Sequence, residues 1–291
     1  MKKLYFGMLM AVLAGAFSAA HGQSFLTNGL VSYYPFNGNA NDTIGTNNGT
    51  PVGATLTSDR FGKANSAYDF GGSSWIETPQ YRLLDGASNA TISAWVMINS
   101  GTSGQLLSSS DSRSGYDPIS VYLAPEATVG AWFENCVLGN SVQTVIGNSP
   151  GQTHELTNLT AGAWHQVDIV LSTSDPRGTF AIYVDGVTNY FQTGSDDGTT
   201  AFTNISYDRD MRFLIGAVEG RPETTPAEFW SGKIDDVRIY NRALSPLEVQ
   251  QLYSYESALS LTIKTAVEID WGTISNKVYQ VQTSVVGPFE F

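Results

Sequence analysis

The 291-residue chain has one cysteine, three histidines and few charges, with Asp, Glu, Lys and Arg together at 14%. A single cysteine excludes an internal disulfide. Cys136 lies in the strand-like run Trp132-Phe133-Glu134-Asn135-Cys136-Val137-Leu138 with no histidine nearby. It reads as a buried, inert thiol rather than a nucleophile. The histidines, His21, His154 and His165, form no His-x-His or His-Glu-x-x-His, and no Gly-x-Ser-x-Gly occurs. Zinc and serine-hydrolase chemistry therefore have no support. Basic residues are also scarce: 15 Lys and Arg stand against 27 Asp and Glu, a net charge of −12. That balance argues against nucleic acid and anionic membranes as main partners. It suits divalent cations and neutral sugars. Before Ser245 no segment has convincing helical periodicity.

Residues 1–22 have the pattern of a secretory signal. Lys2 and Lys3 form the charged start, Leu4 to Ala20 is apolar, and Ala20-His21-Gly22 offers small residues for cleavage. The expected protein is thus exported, secreted or held in the periplasm or at the cell surface. Losing Lys2 and Lys3 makes the mature chain two charges more negative. No later segment is apolar for long enough to cross a bilayer.

Aromatics at 12%, with 29 glycines, point to many strands joined by turns. Short alternating runs recur at sandwich spacing. They include Gly29 to Phe36, with Pro35 marking an edge or an early end, then Ala67 to Phe70 and Ser74 to Thr78. In Ala90 to Ile98, residues Ile92, Ala94, Val96 and Ile98 share one face, and Thr91, Ser93, Trp95 and Met97 the other. Gln105 to Ser108, Ile119 to Leu123, Val129 to Phe133 and Ala163 to Leu171 follow. Phe180 to Val184 turns at Asp185-Gly186, a hairpin signal, into Val187 to Phe191. Phe213 to Ala217 comes next, and Phe229 to Leu244 is the last long strand. Ser245, Pro246 and Glu248 then open a short helix with N-cap, first-position proline and capping-box acid. The expected fold is all-β, a two-sheet antiparallel sandwich with one short C-terminal helix.

The ordered set Gly29-Leu30-Val31-Ser32-Tyr33-Tyr34-Pro35-Phe36-Asn37-Gly38-Asn39-Ala40-Asn41-Asp42, Asn47-Asn48-Gly49-Thr50, Arg60-Phe61-Gly62-Lys63-Ala64, Ala67 to Gly72, Thr91 to Val96, Trp164 to Val167, Ile182 to Gly186, Phe213 to Ala217 and Phe229 to Leu244 resembles the laminin-G-like, concanavalin-A-like jelly-roll family, in its bacterial LamG-like, pentraxin-like branch. The resemblance runs from about Leu26 to Tyr253. It implies one jelly-roll domain over residues 23–256, with the first and last strands side by side. It also implies a structural Ca²⁺ near the Asn/Gly-rich loop Asn37 to Gly53. Matched residue by residue, Asp42 is its best side-chain ligand, with Asn48 or a nearby carbonyl, and Asp235 or Asp236 brought close by the late strand. The alternative makes Asp42 an Asx-turn residue and Asp235-Asp236 a strand-edge acid pair.

Hydrolases of this fold carry paired carboxylates in a Glu-x-Asp-x-x-Glu-like strand motif, and none occurs here. Asp235 and Asp236 are adjacent, so a regular strand points them to opposite faces. Glu126, Glu134 and Glu155 read as solvated. No enzyme activity is expected. Aromatic platforms for sugar rings are sought instead at Tyr116, Trp132, Tyr190, Phe191, Tyr207 and Trp230, each of which could equally be core. The expected function is a non-catalytic recognition module for polysaccharide or cell-surface glycan, with calcium as a structural ion. An extracellular protein-adhesion domain of the same fold is the alternative, and a glycoside hydrolase a third. Residues 257–291 alternate afresh at Leu259, Leu261, Ile263, Val267, Ile269 and Trp271. They read as a short β stub, too small for its own core and possible as a truncated second module.

Overall fold

In the computed structural model the described residues are 24–99, 103–110, 118–124, 128–136, 140–144, 159–175, 178–193, 201–220 and 225–257. The signal segment 1–22 and residues 258–291 of the stub lie outside them. A one-turn helix, α1 (Ser24–Thr27), leads into β1 (Leu30–Tyr34), β2 (Thr50–Val52), β3 (Thr55–Thr57), β4 (Ala67–Gly71), β5 (Trp75–Tyr81) and β6 (Ala90–Ile98). Then come β7 (Gly104–Ser109), β8 (Ile119–Ala124), β9 (Thr128–Asn135), β10 (Asn140–Thr144), β11 (Trp164–Ser172) and β12 (Thr179–Val184). The chain continues through β13 (Val187–Thr193), β14 (Arg212–Ile215) and β15 (Ser231–Tyr240) to α2 (Pro246–Ser257).

The described strands form two antiparallel sheets. One is eight-stranded, β13-β12-β11-β6-β15-β4-β3, with β1 also on β15; the other is seven-stranded, β10-β9-β8-β7-β14-β5-β2. This is the jelly-roll sandwich. The core between the sheets follows the alternation in the sequence. Ile92, Ala94, Val96 and Ile98 of β6 face Phe213 and Ile215 of β14, Ile119, Val121 and Leu123 of β8, and Phe133 of β9 within one buried cluster. Burial of such side chains contributes about 1.5–3 kcal/mol each before the cost of ordering.

β15 closes the larger sheet, and it does so in two halves. Ser231 to Ile234 pair with β4, and Val237 to Tyr240 pair with β1, so the first and last strands do lie side by side. On its other edge β15 pairs with β6, with a register shift between Asp235 and Arg238. The acid pair therefore sits at a bulge where one partner strand hands over to another. Asp236 takes the left-handed conformation there, with φ +47°. An extra residue in a strand resets the alternation. That is why the expectation of opposite-facing acids fails: both carboxylates turn to the same guanidinium.

Helix α2 begins as its capping signal requires. Ser245 N–H donates to Glu248 Oε2 at 2.8 Å, and Glu248 N–H donates to Ser245 Oγ at 3.3 Å. Its Val249 and Leu252 bury against Val170, Ala181, Tyr183 and Tyr240, a second cluster outside the sandwich core. The helix therefore lies on the outer face of the eight-stranded sheet. β2 and β3 were hidden in an Asn/Gly/Thr-rich stretch; β2 tolerates Pro51 because it is the edge of its sheet. Cys136 sits half-buried in a turn after β9, not in a strand, with its thiol 3.8 Å from Glu134 Oε2.

Candidate functional site: the outer face of the seven-stranded sheet

Because Ile119, Val121 and Leu123 point into the core, Ser120 and Tyr122 point outward from β8. On β9, Phe133 and Ala131 point inward, so Trp132 and Gly130 share the outer face with them. In register, Ser120 stands opposite Trp132 and Tyr122 opposite Gly130. The Tyr122 ring lies across Gly130, where a Cβ would come within 2.4 Å of it. Only glycine lets that ring lie flat there. Trp132 and Tyr122 are both half-buried, diagonal neighbours on one face.

Next along the face is Gln105 of β7, paired with Tyr122. Its Oε1 accepts from Ser120 Oγ at 2.8 Å, and its Nε2 donates to Glu228 Oε2 at 3.0 Å. Ser108 and Leu214, further across, are roofed over. Ser108 Oγ donates to Ala217 O at 2.9 Å, and the segment is held back on itself by Val218 and Ala227 exchanging backbone hydrogen bonds at 3.0 and 2.9 Å. Beyond the roof, Arg212 is shared by Glu77 at 2.8 Å and Glu219 at 2.9 Å. Burial works against the Arg212 charge, but the two carboxylates outweigh it and hold its pKa above the ordinary value. Both carboxylates are spent as acceptors for one guanidinium. Ser120 and Gln105 are themselves buried, 2% and 7% exposed, and bonded to each other. The face therefore offers two half-buried aromatic surfaces and one exposed carboxylate, a set suited to stacking and to hydroxyl recognition.

The six aromatic candidates divide. Trp132 is on this face. Tyr207 and Trp230 are core residues, 4% and 2% exposed, and Tyr207 donates its hydroxyl to Leu83 O at 2.6 Å. Each has a polar neighbour in sequence, Asp208 and Ser231, as a platform residue would, so sequence could not separate the two cases. Tyr190 and Phe191, on β13, pair through their backbones with Ile182 and Ala181 of β12, in the other sheet. Their side chains, and Tyr116 altogether, lie outside the described residues. Tyr122 was missed because its partner is a glycine, which carries no aromatic signal. Gln105 and Glu228 were missed because they are far apart in sequence.

The expected metal ligands do not converge as one set. Asp42 Oδ1 accepts from the backbone N–H of Tyr33, Ile44 and Gly45, each at 3.0 Å, and Asn48 Oδ1 accepts from Asp42 N–H at 3.1 Å. Asp42 Oδ2 is buried with no hydrogen-bond donor, and a Cβ on Gly45 would come within 2.6 Å of it. A bare, buried carboxylate oxygen in an Asn-rich loop fits a hard cation. Asp235 does not belong with it. Its Oδ2 is 2.9 Å from Arg60 Nη1 and its Oδ1 accepts from Asp236 N–H at 2.8 Å, while the same Nη1 is 2.8 Å from Asp236 Oδ2. A guanidinium takes the place expected for an ion. Among the described residues no group of three or more His, Cys, Asp or Glu is arranged to hold a metal.

Glu134, expected in solvent, is 6% exposed; Glu126 and Glu155 lie outside the described residues. His165 is a structural clamp. Its Nδ1 lies 2.8 Å from Asp185 Oδ2 and its Nε2 accepts from Thr160 N–H at 3.1 Å, so the proton sits on Nδ1 and the hairpin turn is tied to the preceding loop.

A laminin G-type family profile, described as the concanavalin A-like lectin/glucanases superfamily, matches residues 70–250. The chain belongs to that superfamily. Its fold is therefore lectin/glucanase-like, as the sequence resemblance implied. Similar solved structures include domain 4 of AbnA, a GH43 extracellular arabinanase from Geobacillus stearothermophilus, in complex with arabinotriose. It is 22% identical with a TM-score of 0.53, over 77% of this chain and 98% of that one. The binding domain of Paraclostridial Mosquitocidal Protein 1 is 15% identical with a TM-score of 0.53, over 79% of this chain and 53% of that one. The receptor binding domain of botulinum neurotoxin D is 15% identical with a TM-score of 0.51, over 78% and 53%. At these identities the likeness is one of fold. No curated protein matches the chain. Among the described residues no helix is long and apolar enough to cross a membrane.

Proposed function

We propose that this superfamily member is an exported, non-catalytic recognition module that binds carbohydrate on the outer face of its seven-stranded sheet. The observation that carries the reading is the half-buried pair Trp132 and Tyr122, set beside Ser120 and the Gln105–Glu228 hydrogen bond. Aromatic faces stack on the C–H side of sugar rings, and a carboxylate at the rim accepts from the sugar hydroxyls. A protein-adhesion surface is disfavoured because the exposed large apolar side chains among the described residues are dispersed: Ile44, Phe61, Tyr81 and Val187 lie on separate segments, and Leu247 and Tyr255 lie eight residues apart on α2. The non-catalytic reading is supported by Glu77 and Glu219, whose carboxylates are both engaged by Arg212. A glycosidase's acid must instead carry a proton toward the substrate.

The calcium of this reading is structural and belongs to the first loop. Asp42 Oδ2 would hold it, with Asn48 as neighbour, and Asp235 is left to Arg60. The ion would supply charge to a buried oxygen and brace the loop. Affinity electrophoresis against a polysaccharide panel, with and without chelator, tests both parts. Retardation by at least one polysaccharide that is lost in Trp132→Ala is expected. Unaltered mobility against the whole panel would contradict the carbohydrate reading.

A further inference from the structure

Glu228 combines features that a loop residue rarely has together. Its backbone is left-handed, with φ +49°, a conformation uncommon for any residue but glycine. Its carbonyl accepts Gln105 N–H at 2.7 Å while its carboxylate accepts the Gln105 side-chain amide at 3.0 Å. One residue of β7 thus grips it twice and keeps the unfavourable backbone in place. Strain maintained by specific partners points to a role for the side chain it aims. Through its other end the same Gln105 amide reaches Ser120, directly opposite Trp132, and Gln105 itself pairs with Tyr122. The carboxylate is fixed relative to both aromatic rings, on a residue that remains exposed.

We propose that Glu228 is the specificity-determining residue of this face. It accepts hydrogen bonds from the hydroxyls of a neutral sugar stacked on Trp132 and Tyr122, and it repels glycans that bear carboxylate or sulfate. The inference rests on the carbohydrate reading above. Its chemistry is that of a fixed anion: a charge-assisted acceptor for hydroxyl donors and a like charge for acidic sugars. Arg212, on the far side of the roof, does not offset it, because Glu77 and Glu219 already bind that guanidinium. The chain's overall charge of −12 acts in the same direction.

The test compares wild type, Glu228→Gln and Glu228→Gly by affinity electrophoresis in neutral polysaccharides (arabinan, galactomannan, laminarin) and acidic ones (alginate, pectate), with melting temperatures alongside. Wild type is expected to be retarded by a neutral polysaccharide and by neither acidic one. Glu228→Gln should lose about tenfold in retention on the neutral ligand, the loss expected for one charge-assisted hydrogen bond. Glu228→Gly, which accepts the positive φ without strain but gives up the Gln105 side-chain bond, should lose the same binding while remaining folded. If Glu228 only shaped the loop, the glycine variant would keep its binding, and that result overturns the proposal. Retardation of wild type by alginate or pectate overturns it too, while leaving carbohydrate binding intact. No retardation of wild type by any polysaccharide would remove the reading on which it rests.

Discussion

The two sheets of this sandwich present outer faces made from similar residues but covered to different extents. On the eight-stranded sheet, α2 covers a buried polar layer. Glu256 pairs with Arg238 and accepts from Trp95 Nε1 at 2.7 Å and Gln166 Nε2 at 2.8 Å. Arg60 bridges Asp235 and Asp236 and lies 4.5 Å above the Trp95 ring, which stacks on Tyr253. Glu256, Asp235, Asp236 and Trp95 are thus engaged by partners inside the protein. On the seven-stranded sheet, Ala217, Val218 and Ala227 roof over Ser108, while Trp132 and Tyr122 are only half-buried and Glu228 is exposed. The lesson is that residue type alone does not distinguish a covered aromatic or acid from an accessible one on this fold; the cover does.

The largest effect is expected where the sealed face is broken. Arg60→Ala leaves Asp235 and Asp236 buried without their cation and should cost about 3–5 kcal/mol of stability. Urea unfolding measures it, and the folded fraction should keep its carbohydrate affinity. A loss of affinity in fully folded protein would mean that the two faces are not separate.

The first loop comes next. Asp42→Ala strands three backbone N–H groups and should cost about 1–3 kcal/mol. If calcium sits on the second oxygen, the loss shrinks when wild type is measured in chelator. An equal loss with and without chelator would leave Asp42 as an Asx-turn residue alone.

A third effect separates the faces by pH. Asp168, opposite Ser93 and beneath α2, is fully buried, and its pKa is pushed up to about 7 by that burial, with Ser93 and Arg238 softening the rise. Burial, then repulsion from Asp236, raises Asp235 to about 8 against the pull of Arg60. The folded chain therefore keeps protons that the unfolded chain releases above the ordinary value of 3.8. The contribution of these two groups to stability should be largest in acid, fall as pH rises from about 4 toward 8, and then level off. Asp168→Asn should flatten that slope, gaining more at pH 8 than at pH 5 in thermal melts. Parallel melting curves for the two proteins would contradict the assignment.

The smallest effect is at the helix start. Ser245→Ala removes the cap of α2 and should cost about 1 kcal/mol. It should leave binding unchanged.

Much of the fold could be read from the chain because it is local. The alternation of Ile92, Ala94, Val96 and Ile98, the Asp185-Gly186 turn and the Ser245–Glu248 capping box each need only a few consecutive residues. The site was less legible because it is assembled across strands. Trp132 could be named, but nothing nearby in sequence distinguishes it from the core residues Trp230 and Tyr207. Tyr122 depends on a glycine eight residues away, and Gln105 meets Glu228 across the sheet. The bulge at Asp235-Asp236 defeated the strand rule for a related reason: the handover from β4 to β1 is a property of the sheet, not of the strand.

The central claim is that the open face binds carbohydrate and the sealed face does not. Isothermal titration of a retarding neutral oligosaccharide into wild type, Trp132→Ala and Trp95→Phe tests it most directly. Wild type and Trp95→Phe should bind alike, while Trp132→Ala should lose binding by at least about tenfold, as expected when a stacking aromatic is removed. Equal affinity in Trp132→Ala, or loss confined to Trp95→Phe, would contradict the account.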